Sequence, residues 1–292
     1  MIYLQLLISG IMLGGVYALL SIGLTLIMGV VRLVSFCHGD IITLGMYITF
    51  VAYTFYQIDP YVSIFIVVPI SFIIGYLIFR FVLRPTLGKP HVVQIFATLG
   101  VSMIIQNLLL TIMSGNYRTI KTKYDALTAQ IGDISVSVPR VIAFVFAMVF
   151  ALLLFWFINK TVTGKAMRAT AQDRIAASLM GISEKRIFTI TFAVGSALAG
   201  LAGALMMPFF SVYPTFGGEL INVGFVAVVL GGMGSLPGAL IGGLLLGVIE
   251  TLSGYFIATS MKQAVYFAVF ILILVIKPTG LLGVKGSEVF GE

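Results

Sequence analysis

The sequence predicts an all-α fold, a polytopic bundle of about eight transmembrane helices, with seven to nine open. Three observations predict it. The chain has 292 residues, of which 60% are hydrophobic and 9% charged, where a soluble domain carries about 25% charged residues. The apolar residues fall into runs near the ~20 residues that a spanning helix needs. The basic residues lie in short segments between those runs. That pattern sets membrane orientation, so the net charge of +7 does not point to nucleic acid. A single domain is expected over residues 1–292.

The first run, Leu4–Val31, has no basic leader and is too long for a signal peptide, so it reads as a retained span. The others are Ile41–Tyr56, Tyr61–Phe79, Val92–Met113, Val138–Ile158, Ile187–Phe210, Leu220–Gly232, Ala239–Phe256 and Ala264–Ile276. The second and seventh are short, and each is open to being tilted, broken or re-entrant. With the polar segment after the fifth run placed inside, alternation through nine runs puts twelve basic residues inside, among them Arg32, Arg80, Arg84 and Lys285, and five outside. This bias puts the N-terminus outside and the C-terminus inside.

The outer loop, about 115–140, alternates Ser and Val near its end and carries scattered charge. It reads as a solvated loop, with a small ordered flap touching a soluble partner as the second reading. Opposite it lies the long polar interruption Thr163–Arg186. Its residues favour one helix over Gly164–Met180, about 25 Å long at 1.5 Å per residue. Thr163 is expected to cap its start, Gly181 to take the left-handed position at its end, and Ser183 to cap the next helix. The partly apolar row Met167, Ala171, Ile175 and Leu179 suits docking into another protein's groove. A plain basic loop is the competing reading.

Small residues four apart mark close helix packing in lipid. They occur at Gly10 and Gly14, at Gly195, Ala199 and Gly203, and at Gly238, Gly242, Gly243 and Gly247. Two glycine-rich breaks, Gly29–Gly45 and Val229–Gly243, hold similar places in the two halves of the chain. Paired breaks of this kind point to a central pathway in transporters. A third break, Ser211–Leu220, suggests a short helix at the outer surface.

Catalytic and ATP-binding signatures are absent from the sequence: it holds no HExxH, GxSxG, CxxC or GxxxxGK[ST]. Cys37 alone makes neither a disulfide nor a metal site. If ATP drives this protein, another chain binds it. The candidate pathway or gating residues are therefore polar groups and breaks within apolar surroundings: His38, Asp40, Gln106, Asn107, Gly231, Gly232, Gly234 and Glu250. Glu250 sits near the outer end of its run, where interfacial solvation can also account for it. His38 and Asp40 either line a pathway or pair with Arg32, and pairing is the plainer reading. Gln106 and Asn107 can bond to neighbouring helices or face a polar channel.

The opening GGVYALLSIGLTLIMGVVRLVSFCHGD, the segment GKAMRATAQDRIAASLMGI, the glycine-rich GGMGSLPGALIGG and the closing KPTGLLG together resemble the LivH-type permease subunits of bacterial branched-chain amino acid ABC importers. The resemblance covers nearly the whole chain. It implies a multi-pass inner-membrane permease beside a second, related permease, giving a heterodimer. Two cytoplasmic ATP-binding subunits and a periplasmic substrate-binding protein complete the implied system. It further implies that this chain holds no cofactor and that ATP is used by the partner subunits. Leucine, isoleucine and valine are the implied substrates, and sister systems carry urea or short amides. The resemblance makes Gly164–Gly181 the coupling helix, with Gly164, Lys165, Arg168, Asp173, Ala176, Ala177 and Gly181 as its residues. Importer permeases carry Glu-Ala-Ala, three residues, then Gly. Ala176, Ala177 and Gly181 match, and Ile175 stands where the acidic residue would be. Arg168 and Asp173 are then the expected polar contacts to the ATPase. A proton-coupled carrier using Glu250, His38 and Asp40 is the competing class.

Overall fold

The computed structural model describes residues 2–124, 127–131 and 134–283. Lys285 lies outside them. The described residues form eleven α-helices and one short hairpin. In order these are α1 (Ile2–Val30), α2 (His38–Tyr56), α3 (Ile64–Ile78), α4 (His91–Met113), β1 (Thr128–Ile131), β2 (Ile134–Ser137), α5 (Val138–Lys160), α6 (Val162–Gln172), α7 (Arg174–Leu179), α8 (Glu184–Met206), α9 (Phe216–Gly231), α10 (Leu236–Phe256) and α11 (Lys262–Ile276). A π-helical turn, Phe79–Leu83, and a 3-10 turn, Arg84–Thr86, extend α3.

Among the described residues, seven helices are long and apolar enough to cross a membrane: Ile2–Val30, Ile64–Thr86, His91–Met113, Val138–Lys160, Glu184–Met206, Leu236–Phe256 and Thr259–Ile276. The two short runs also become helices, α2 and α9. The bundle is the polytopic one expected. The hairpin is its one addition to an all-α reading, with Thr128 opposite Ser137 and Ile131 opposite Ile134. The Ser-Val alternation of the loop is the period of these strands, so part of the loop is a short antiparallel hairpin.

Lipid is as apolar as the helices, so close approach of small residues replaces the hydrophobic effect in holding them together. The α1–α10 seam shows this. A Cβ added at Gly10 would lie 2.8 Å from Val248 Cα, and one at Gly14 would lie 2.6 Å from the Leu244 carbonyl. Gly243 and Gly247 return the contact onto Ala18 and Gly14. Residue numbers fall on one helix as they rise on the other, so the pair is antiparallel. The glycine row of α8 serves three neighbours. Gly195 meets Ile27 of α1, Gly200 meets Ser71 of α3, and Gly203 meets Ile42 of α2. Helices α1 and α8 are accordingly buried along most of their length, while in α11 only Tyr266 is fully buried.

The bundle has two distinguishable ends. At one, the basic end, Arg174 donates from Nη2 to the Val31 carbonyl (2.9 Å), tying α7 to the end of α1. At the other, Arg118 pairs with Val212, and Tyr53 donates to the Lys121 carbonyl, so the hairpin segment lies over the α2 and α8 ends.

Two of the breaks meet. A Cβ on Gly29 would approach Gly234 Cα to 3.2 Å. The KPTGLLG segment then packs on the second break: Leu281 N–H donates to the Leu230 carbonyl (2.9 Å) and Leu282 N–H to the Gly231 carbonyl (2.8 Å). Gly232 has φ +111° and Gly283 lies against it, so a side chain there is excluded both by conformation and by space. The third break forms no separate surface helix. Phe216 to Gly218 are the first turn of α9, and Gly217 packs backbone to backbone on Gly39 of α2. An added Cβ would collide on either side of that contact. Both short helices therefore begin inside the bundle, which is why their apolar runs are short.

Candidate functional site

The path from α1 to α2 turns back into the bundle. Residues 31–37 are irregular, with Leu33, Ser35 and Cys37 buried, and Phe36 N–H reaches Thr98 Oγ1 of α4 at 3.4 Å. This return brings His38 beside Leu20 and Gly23 of α1, about 10 Å along the helix from Val30. His38 is fully buried, and neither ring nitrogen makes a hydrogen bond of normal geometry.

Asp40 lies in the same first turn of α2 and is also buried. It does not pair with Arg32. Gln106 Nε2 donates to Asp40 Oδ1 at 2.9 Å and approaches Ser102 Oγ at 3.2 Å. Arg32, with φ +56°, instead points to the basic end and approaches the Ala171 carbonyl at 3.5 Å. The separation of the pair follows from the chain reversal between them. The result is a carboxylate inside the bundle faced by an amide and a hydroxyl.

The other candidates fall apart from this junction. Asn107, next to Gln106, is exposed and donates to the Met103 carbonyl of its own helix (2.7 Å). Gly231 and Gly232 belong to the basic-end packing of α9, α10 and the closing segment, and Gly234 meets Gly29 at the end of α1. Glu250 lies six residues from the end of α10. It accepts from the Tyr17 hydroxyl at 2.8 Å and stands 3.7 Å from Lys262 Nζ. That pairing accounts for an acid in an apolar run without a proton-carrying role.

The segment at the basic end is not one helix. It breaks at Asp173, whose extended backbone (φ −148°, ψ 111°) separates α6 from α7. Asp173 Oδ1 accepts from Ala176 N–H (2.9 Å), so the residue is the N-cap of α7. Thr161, two residues before the expected cap, accepts from Gly164 N–H (3.0 Å) and starts α6. Gly181 does end α7 in the left-handed region, at φ +83°. Ser183 precedes α8 without a side-chain cap, its carbonyl accepting from Arg186 and Ile187 N–H groups.

Arg168 donates to Asn159 Oδ1 (3.1 Å), and Lys165 is exposed. Gly164 packs on the Ile158 backbone, so the start of α6 is held tightly to the end of α5. Ala177 turns inward, whereas Ile175, Leu179 and Met180 are 76%, 83% and 83% exposed. Arg174, a residue that sequence reasoning passed over, anchors the segment. It bonds to Val31, lies 4.9 Å over the Phe188 ring and stands 3.8 Å from Glu184. Burial pushes its guanidinium below the ordinary arginine value, and Glu184 counters this. Its position between two polar helices gave the sequence reading no distinguishing signal.

The chain was compared with known proteins. A family profile described as "Branched-chain amino acid transport system / permease component" matches residues 6–274. The high-affinity branched-chain amino acid transport system permease protein LivH of Escherichia coli (strain K12) is 32% identical over 96% of each chain. The corresponding protein BraD of Pseudomonas aeruginosa is 33% identical, again over 96% of each. The high-affinity branched-chain amino acid transport system permease protein LivM of E. coli (strain K12) is 25% identical over 91% of this chain and 68% of its own. No solved structure matches.

Proposed function

The chain belongs to the family of branched-chain amino acid transport permease components, and from that premise we propose how its two polar regions divide the work. As a member it is a transport permease of the ABC importer type and not an enzyme. The observation that carries the reading of its energetics is the row Ile175, Leu179 and Met180, left bare on a polar segment outside the spans. Apolar side chains so placed suit the cleft of a partner protein. We take α6 and α7 as the coupling segment that docks into a cytoplasmic ATP-binding subunit. ATP is then used by two such subunits, and this chain binds no cofactor.

The permease sits in the bacterial inner membrane with its N-terminus outside and its basic end in the cytoplasm. It pairs with a second, related permease and receives substrate from a periplasmic binding protein. The presence of two related permease proteins in E. coli, LivH and LivM, supports a heterodimer. The substrates are branched-chain amino acids, in line with the names of the relatives. Urea and short amides are not favoured, and neither is proton coupling through Glu250.

The mechanism follows from how α6 and α7 are attached. Closure of the ATPase dimer moves the seated segment. The Arg174 contacts to Val31 and Phe188 pass that motion to the ends of α1 and α8, the two most buried helices. Packed helices switch between discrete arrangements, so a small shift changes which end is open. Along the path, Asp40 and Gln106 offer the ammonium group of a passing amino acid a carboxylate with no cation of its own.

Uptake in cells tests the assignment. Deletion of this chain should abolish uptake of labelled leucine, isoleucine and valine and leave urea uptake unchanged. Loss of urea uptake with intact leucine uptake would reassign the substrate.

A further inference from the structure

A cleft of about 380 Å³ opens between the end of α3 and the start of α8 at the basic end. Arg80, Arg84, Lys185 and Arg186 line it together with Tyr76 and Thr189. We propose that this cleft holds the headgroup of an anionic phospholipid in the leaflet at that end.

Charge is the first support. Four cations converge on the cleft and no carboxylate lines it. The neighbouring acid, Glu184, turns to Arg174 instead, at 3.8 Å. Among the described residues the four cationic side chains make no hydrogen bond or ion pair with the rest of the protein. Like charges held together repel, and a bound phosphate relieves that repulsion through charge-assisted hydrogen bonds.

The backbone is the second support. Phe79 and Leu83, at the two ends of the π-helical turn, are both fully buried, with the Phe79 ring 5.6 Å from Phe192 of α8. Arg80 and Arg84, the next residues along, both line the cleft. Single π-turns inside helices are frequently found at functional sites.

The third support is the gradient of polarity, which favours a lipid over a soluble anion or an acidic protein segment. Tyr76 lines the cleft one turn before Arg80 on the same helix, and aromatic side chains of this kind favour a membrane interface. Toward the start of the same helix, away from the arginines, Ile73 and Ile70 are exposed. A headgroup in the cleft leaves its acyl chains against this apolar face. Basic pockets between helices at a membrane surface recognise lipid headgroups by this chemistry.

The test is native mass spectrometry of the intact assembly, titrated with phosphatidylglycerol and with phosphatidylcholine. The wild type should retain phosphatidylglycerol selectively. The Arg80→Gln/Arg186→Gln variant should weaken that binding roughly 30-fold, the loss of two charges near an anionic surface. Arg80→Lys/Arg186→Lys should keep most of it, which separates lost charge from a misfolded chain. Equal retention of the two lipids, or unchanged selectivity in the Gln variant, overturns the proposal. Displacement of the lipid by millimolar inorganic phosphate would assign the cleft to free phosphate. Crosslinking of Lys185 to carboxylates of a partner subunit, with no lipid bound, would assign it to a protein contact. Either result overturns the lipid.

Discussion

At the residue scale the account rests on Asp40 and Asp173, two aspartates that the chain uses in opposite ways. Asp40 is buried against Gln106 and Ser102. Asp40→Asn keeps the shape and removes the charge. It should leave the bundle folded and lower amino acid uptake roughly tenfold or more, as expected for losing a charged hydrogen-bond acceptor. Uptake equal to wild type in reconstituted vesicles would remove Asp40 from the path. Asp173 is exposed and caps α7. Asp173→Ala should cost about 1 kcal/mol of local helix stability, seen as faster amide exchange over residues 174–180 and nowhere else. The first aspartate was legible as a polar group at a break, but its partner was not. Gln106 lies 66 residues away, and no local pattern announces that contact. The cap was legible in principle. Asp173 stands three residues before Ala176, the spacing of an N-cap, but the helix-forming residues on both sides hid the break.

At the element scale the sequence exposed surfaces and left their partners open. The small-residue row of α8 is visible as GSALAGLAGAL. Only the structure shows that Gly195, Gly200 and Gly203 face α1, α3 and α2 in turn. Gly203→Leu should therefore act through α2. The Ile42 backbone cannot withdraw as a flexible side chain would, so the variant should lose about 1–3 kcal/mol by overpacking, read as a lowered unfolding midpoint in detergent. Gly218→Leu, at a position with open space around it, should leave the midpoint unchanged. The closing KPTGLLG carried a family signature without a visible purpose. Its purpose is backbone pairing with Leu230 and Gly231, a long-range contact that composition cannot reveal. The short runs α2 and α9 looked like defective spans. They are short because both start at the Gly39–Gly217 contact within the bundle.

At the scale of the whole molecule, the two ends of the bundle have different jobs. The hairpin covers one end, and α6 and α7 project from the other. Cys37 is the one cysteine and is fully buried, so introduced cysteines can report sidedness. In sealed cells an impermeant maleimide should label Lys123→Cys from outside and should reach Lys165→Cys only after lysis. The reverse pattern would invert the proposed orientation. The central claim is that the bare apolar row of α7 seats the permease on its ATPase. The most direct measurement is copurification from native membranes in mild detergent, wild type against Ile175→Asp/Leu179→Asp. Both side chains are exposed, so the variant should fold and elute as the wild type does. The account predicts that an ATP-binding subunit accompanies the wild type and is lost from the variant. Equal recovery of that subunit with both proteins would contradict it.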